Sequence, residues 1–231
     1  MKLFVGMMML VSLFLYVGVL DAADSSLKTP KDKVSYAVGA QIGADMKRQT
    51  VDIDPAMLAK GLKDGFQGSK LLLTDQEMRE ALSGLQQQMA AKQAERMREV
   101  GAKNKQAGAA FLAENKKKEG VKVLPSGLQY KIAKEGTGKT PKADDTVTVN
   151  YRGTLIDGTE FDSSYKRGEP ATFPVKGVIK GWTEALQLMK VGSKWQLFIP
   201  SELAYGEQPA GRVIGPNSTL IFEVELLGIK E

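Results

Sequence analysis

Residues 74 to 118 contain no proline, and that one stretch constrains the fold of this chain more than any other feature. It opens on Thr74-Asp75-Gln76-Glu77, a capping box with Thr and Glu three apart. About 44 residues at 1.5 Å each make a helix of roughly 66 Å. Met78, Leu82, Leu85 and Met89 form an apolar stripe in its first half, but Lys92, Arg96, Glu99 and Lys103 take the continuing positions. A helix that is polar on every side packs on little, so the second half is expected to bridge solvent between domains. Gly84, Gly101 and Gly108 each cost about 1 kcal/mol relative to Ala and are expected to let the rod bend or fray.

Two shorter helices are expected upstream. Residues 31–49 carry Val34, Val38, Ile42 and Met46 at four-residue spacing, with Ala37, Gly39, Ala40 and Gly43 beside them. Such a face lets another helix approach closely. Asp54-Pro55 pairs a capping side chain with proline in the first turn, and Gly68 ends the helix that carries Met57, Leu58, Leu62 and Phe66. These helices hold too few large apolar residues for a core of their own. A homodimer through residues 31–90 would bury them; the alternatives are a small monomeric bundle or packing on the C-terminal domain. Ahead of them, Lys2, the apolar run from Leu3 to Leu20 and the small residues of Asp21-Ala22-Ala23-Asp24 predict a secretory signal in residues 1–23, cleaved after Ala22 or Ala23 in preference to a retained anchor.

From Val121 the period changes from helical to alternating. Residues 128–132, 147–151, 195–199 and 220–226 read as strands with one buried face, Asp157-Gly158 as a hairpin turn, and residues 181–190, through Trp182, Ala185, Leu186 and Met189, as the one helix of the region. The fold class expected is therefore α+β, with a mainly antiparallel C-terminal sheet. The organisation is a signal over 1–23, a helical dimerisation region over 24–73, a long connecting helix over 74–120 and a C-terminal domain over 121–231.

The chain has 0 Cys and 0 His, which excludes thiolate chemistry, disulfides, Cys/His zinc sites and imidazole bases. No acidic run has the spacing of a calcium loop, and neither metal nor cofactor is expected. The net charge of +5 is spread along the chain rather than gathered into a stripe, which argues against nucleic acid as a partner. Lys116-Lys117-Lys118, flanked by Glu114 and Glu119, reads as a solvated helix end.

Three groups of the C-terminal region are unusual: Phe161-Asp162-Ser163-Ser164, Val178-Ile179-Lys180-Gly181-Trp182 and Ala204-Tyr205-Gly206. Taken singly, Trp182 and Phe161 read as core anchors and Asp162 as a turn cap. Together with Val-Asn-Tyr-Arg-Gly-Thr-Leu at 149–155, Asp-Gly-Thr-Glu-Phe-Asp-Ser-Ser at 157–164, Met-Lys-Val-Gly-Ser at 189–193 and Leu-Ile-Phe-Glu-Val-Glu-Leu at 220–226, they make residues 147–229 resemble an FKBP-type peptidyl-prolyl isomerase domain. The upstream arrangement resembles, more weakly, the macrophage-infectivity-potentiator branch of secreted dimeric isomerases of Gram-negative bacteria. The resemblance implies an antiparallel sheet wrapped on one short helix. It implies a pocket of Tyr151, Phe161, Asp162, Phe173, Val178, Ile179, Trp182, Tyr205, Ile214 and Phe222, with Trp182 as floor and the aromatics as walls. In the family, the amide at Ile179 and the hydroxyl at Tyr205 bond carbonyls of the bound peptide, and the carboxylate at Asp162 faces the twisting amide. The segment from Glu207 to Arg212 departs from cytosolic members, several of which place a His near Ala210. The implied partners are proline-containing polypeptides and macrolides of the FK506/rapamycin type, and the implied location is the periplasm or cell surface.

The chemistry suits a chain without His or Cys. Rotation about a peptide bond faces a barrier of about 18–20 kcal/mol, yet no bond to a new atom is made. Spontaneous Xaa-Pro exchange takes tens to hundreds of seconds. The twisted amide has lost resonance and charge separation, so a dry aromatic pocket disfavours it less than the planar form. Asp162 would either polarise the amide or hold a neighbouring hydroxyl, with Tyr151 the candidate. The competing expectation is a holdase or peptide-binding module whose Met-rich helical clamp grips unfolded chains.

Overall fold

Thr29 starts the first helix. Its hydroxyl accepts the Asp32 amide, the Asp32 carboxylate accepts the Thr29 amide, and Pro30 fills the first turn. The computed structural model describes residues 27–230, and the expected signal segment lies outside them. Helix α1 spans Pro30–Arg48 and α2 Pro55–Gln67, the latter capped by Asp54 and closed by Gly68 at φ +64°. These belong to a unit that ends at Thr74; a second unit runs from Asp75. No residue of α1 or α2 is buried. Val34, Val38, Leu62 and Phe66 are all more than half exposed, Phe66 at 91%. Among the described residues no helix is long and apolar enough to cross a membrane.

Helix α3 spans Asp75–Asn115. Seven strands follow in one sheet: β1 (Val121–Val123), β2 (Gln129–Lys134), β3 (Thr146–Leu155), β4 (Glu160–Ser163), β5 (Ala171–Pro174), β6 (Lys194–Ile199) and β7 (Leu220–Lys230). Their order is β1-β2-β6-β7-β3-β4, with β5 also on β3, and every pairing is antiparallel. The one-turn helix α4 (Ser164–Arg167) follows β4, and α5 (Lys180–Leu186) lies between β5 and β6. Trp182, Ala185 and Leu186 of α5 pack with Val149, Leu197, Val224 and Leu226 in a single buried core, the arrangement that the alternating strands and the lone helical segment predicted. The short strands β1, β4 and β5 escape a pattern reading because three or four residues carry too little period.

The second half of α3 differs from expectation. Gly101, Gly108 and Asn115 are buried. A Cβ on Gly108 would stand 2.3 Å from Thr219 Oγ1, and one on Gly101 would stand 3.4 Å from Pro216. Phe111 meets Phe198 with ring centroids 6.0 Å apart. Asn115 Nδ2 donates to Gln129 Oε1 (3.0 Å), and Gln129 Nε2 donates to the Leu112 carbonyl (2.9 Å). Gln129 and Phe198 are register partners on β2 and β6, so both stand on the sheet face away from the α5 core. The helix is thus seated on the domain by missing side chains rather than by an apolar stripe. Hydropathy does not register a face made of glycines, which is why the chain reads as polar all round.

Candidate active site

Between α5, the sheet and the loop before β7 lies a cavity of about 590 Å³. Tyr151 reaches it from β3, Phe161 and Asp162 from β4, Phe173 from β5, Val178 and Ile179 from the approach to α5, Trp182 from α5 and Phe222 from β7. Tyr205 and Ile214 come from the loop that precedes β7. All ten residues singled out in the sequence line this one space. It is also lined by Gly177 and Val213, which the sequence reading did not select, and by Ala210, Gly211 and Arg212 of the segment already singled out for departing from cytosolic members.

Trp182 is buried among aromatic rings that meet it edge-on. Its ring centroid lies 5.2 Å from Phe222, 5.3 Å from Tyr151 and 6.0 Å from Phe173, with interplanar angles of 82°, 88° and 89°. Phe161 meets Phe222 the same way, at 5.4 Å and 83°. Edge-to-face packing sets the negative ring face against positive ring edges and holds each ring at a fixed angle. Two glycines make the arrangement possible. A Cβ at Gly153 would lie 2.6 Å from Phe161 and 2.7 Å from Phe222, and one at Gly181 would lie 2.6 Å from Ile199.

Polar groups gather at one wall. Tyr151 Oη donates to Asp162 Oδ2 at 2.5 Å, and the Ser163 amide donates to Asp162 Oδ1 at 2.8 Å. Arg167 Nη1 also donates to Asp162 Oδ1, its Nη2 donates to Tyr151 Oη at 2.8 Å, and its guanidinium lies 5.3 Å from the Tyr151 ring centre. Burial raises the Asp162 carboxyl, but the bonds from Tyr151 and Arg167 and the Arg167 charge outweigh it and hold the group below the ordinary carboxylate value. Burial and the bond to Asp162 push the Tyr151 phenol up, with Arg167 opposing. The phenol therefore stays protonated and the carboxylate ionised throughout the neutral range.

Arg167 is the participant that the sequence reading missed. A signal existed: Ser163 caps the turn by accepting from the Lys166 amide, and Gly168 closes it at φ +79°, which returns the residue at 167 towards Asp162. A four-residue helix is too short to show a period, so only the cap and the closing glycine could have revealed it.

The loop from Tyr205 to Ser218 is tied to itself and to α3. Ala210 and Ile214 exchange backbone bonds in both directions (2.9 and 3.2 Å). The Asn217 amide donates to the Gly206 carbonyl at 2.7 Å, and Asn217 holds a positive φ of 56°.

Residues 137–227 match the family model described as FKBP-type peptidyl-prolyl cis-trans isomerase, and residues 31–132 match the domain amino terminal to it. The chain is 53% identical over 207 residues to the outer membrane protein MIP of Legionella longbeachae, covering 90% of this chain and 89% of that protein. It is 47% identical over 220 residues to the peptidyl-prolyl cis-trans isomerase Mip of Coxiella burnetii, covering 95% and 96%. The crystal structure of FkpA from Escherichia coli superposes with a TM-score of 0.72 at 40% identity, covering 89% of this chain and 99% of that one.

Proposed function

The chain belongs to the FKBP-type peptidyl-prolyl cis–trans isomerase family, and from that premise we propose that the cavity floored by Trp182 is where it turns Xaa-Pro bonds, as a homodimer assisting the folding of envelope proteins. The observation that carries the site is the convergence of six aromatic rings and one hydrogen-bonded carboxylate on a single space. The proline ring enters over Trp182, with Tyr151, Phe161, Phe173 and Phe222 as walls. The Ile179 amide and the Tyr205 hydroxyl bond the carbonyls of the peptide on either side.

Desolvation does most of the work in this account. A planar amide is the more dipolar form and loses more on leaving water than the twisted one. Reducing an exchange time from about 100 s to about 1 ms requires about 7 kcal/mol, within reach of desolvation, orientation and one or two hydrogen bonds. Asp162 contributes chiefly by holding Tyr151. Its charge is offset by Arg167, and both its oxygens already accept bonds, which favours the holding role over direct polarisation of the amide. Macrolides of the FK506/rapamycin type occupy the same cavity and compete with peptide.

Dimerisation is supported by the bare apolar surface of α1 and α2, where no side chain is buried within the protomer. The secretory signal and envelope location are supported by the Leu3–Leu20 run and fit the likeness to an outer membrane protein of Legionella longbeachae. The test of the site is Val178→Trp, which fills the cavity. Exchange of a Xaa-Pro model peptide should fall by at least ten-fold in a protein that still melts cooperatively, and an unchanged rate in that folded variant refutes the assignment. The holdase alternative predicts the reverse: peptide rates are left alone, aggregation of unfolded clients is suppressed, and the effect disappears when residues 31–118 are removed.

A further inference from the structure

The geometry points to Asn104 of α3 as a positioning residue for the isomerase, holding the loop that closes one side of the cavity. This rests on the reading of that cavity as the active site. Asn104 Nδ2 donates to the Pro216 carbonyl at 2.8 Å and to Ser218 Oγ at 3.3 Å. Ser218 Oγ in turn donates to the Gly215 carbonyl at 2.8 Å. Gly215 lies directly against α3: a Cβ there would meet Asn104 Nδ2 at 3.0 Å and Val100 Cγ1 at 3.3 Å. Its neighbour Ile214 is buried in the cavity wall. Asn217 closes the base of the loop from the other side, its amide on the Gly206 carbonyl and its Nδ2 on the Gly101 carbonyl of α3 at 3.4 Å.

The loop between Gly206 and Asn217 therefore has one end stitched to itself and to a helix that does not touch the cavity. Its middle carries Ala210 to Ile214, a third of the lining. Apart from the Ala210–Ile214 pair, no regular pairing with the sheet holds that middle in place. Gly101, where a Cβ would crowd Asn217 Nδ2 at 3.2 Å, and Asn104, one turn later, supply the missing support. Asn suits the position because its amide offers two N–H donors and so can satisfy a carbonyl and a hydroxyl together.

A loop set this way contributes to binding of peptide in ground and transition states alike, so loosening it should act on KM more than kcat. In the full-length chain, Asn104→Ala should raise KM for a Xaa-Pro model peptide by about five-fold, the worth of one net hydrogen bond, with kcat within about two-fold. Asn104→Asp keeps the shape but loses the donors and should be at least as impaired, while Asn104→Gln, which keeps an amide, should recover part of the loss. Amide hydrogen exchange at Ile214 and Asn217 should quicken in the Ala and Asp variants and stay at the wild-type rate in the core strands, a pattern that general unfolding would not give. Unchanged KM and unchanged exchange in both variants overturn the inference, as does a fall in kcat at constant KM. Val178→Trp run alongside separates the two levels: if it impairs exchange of the peptide and the Asn104 variants do not, only the positioning role fails; if neither does, the cavity assignment fails and this inference with it.

Discussion

Asp162 commits one carboxylate oxygen to Tyr151 and the other to Arg167 and the Ser163 amide, so its contribution can be divided by single-atom changes. Tyr151→Phe removes only the hydroxyl. If Asp162 acts by holding that ring, Asp162→Ala and Tyr151→Phe should each lower kcat/KM several-fold, and the double variant should lose little more than the worse single one. Additive losses in the peptide assay would instead point to a direct field from the carboxylate, since independent contributions sum and shared ones do not. Gly153 offers a second test at this scale. The Cβ of Gly153→Ala would overlap both Phe161 and Phe222, forcing two cavity walls apart, so the expected result is a drop in kcat/KM with a melting temperature lowered by a few degrees.

At the scale of elements, α3 carries glycines of two kinds. Nothing lies within 4 Å of a Cβ at Gly84, while one at Gly108 would overlap Thr219, which is buried. Gly84→Ala should therefore raise stability by about 0.5–1 kcal/mol, and Gly108→Ala should lower it by about 1–3 kcal/mol, both read from denaturant midpoints. For the same reason a chain beginning at Asp75 should melt above one beginning at Val121, which lacks the seat formed by Asn104, Phe111 and Asn115. The sequence showed where α3 starts and how far it runs, because the capping box and the lack of proline are local. It showed the long strands and α5 because burial of one face imposes a period. It did not show that α3 lies on the sheet. In hindsight Phe198 was the cue: it breaks the alternation of Trp195, Leu197 and Ile199 by placing a large apolar ring on the other face, and such a ring needs a cover. Family motifs brought out the ten cavity residues, whereas Arg167 and the Asn104 contacts depend on pairings that no period announces.

At the scale of the molecule, the lack of histidine removes the side chain that normally titrates near neutrality. Asp162 has its folded value depressed, so its stabilising effect is complete above the unfolded value of about 3.9 and is lost as pH falls through the folded one. Tyr151 is raised, so its effect is complete below about 10 and is lost as pH climbs towards the folded value. Between about pH 5 and 9 the isomerase rate should be flat, and a bell-shaped profile centred near neutrality would contradict the non-titrating mechanism. The homodimer proposal makes its own prediction: sedimentation should give a dimer for the mature chain and a monomer once residues 31–73 are removed. Phe66, 91% exposed on α2, carries a further consequence. Under the homodimer proposal, a lone protomer would bare this ring and the apolar residues beside it to water and become surface-active. Dilution alone should send it to glass, air or lipid boundaries, so losses in handling ought to rise as the solution gets thinner.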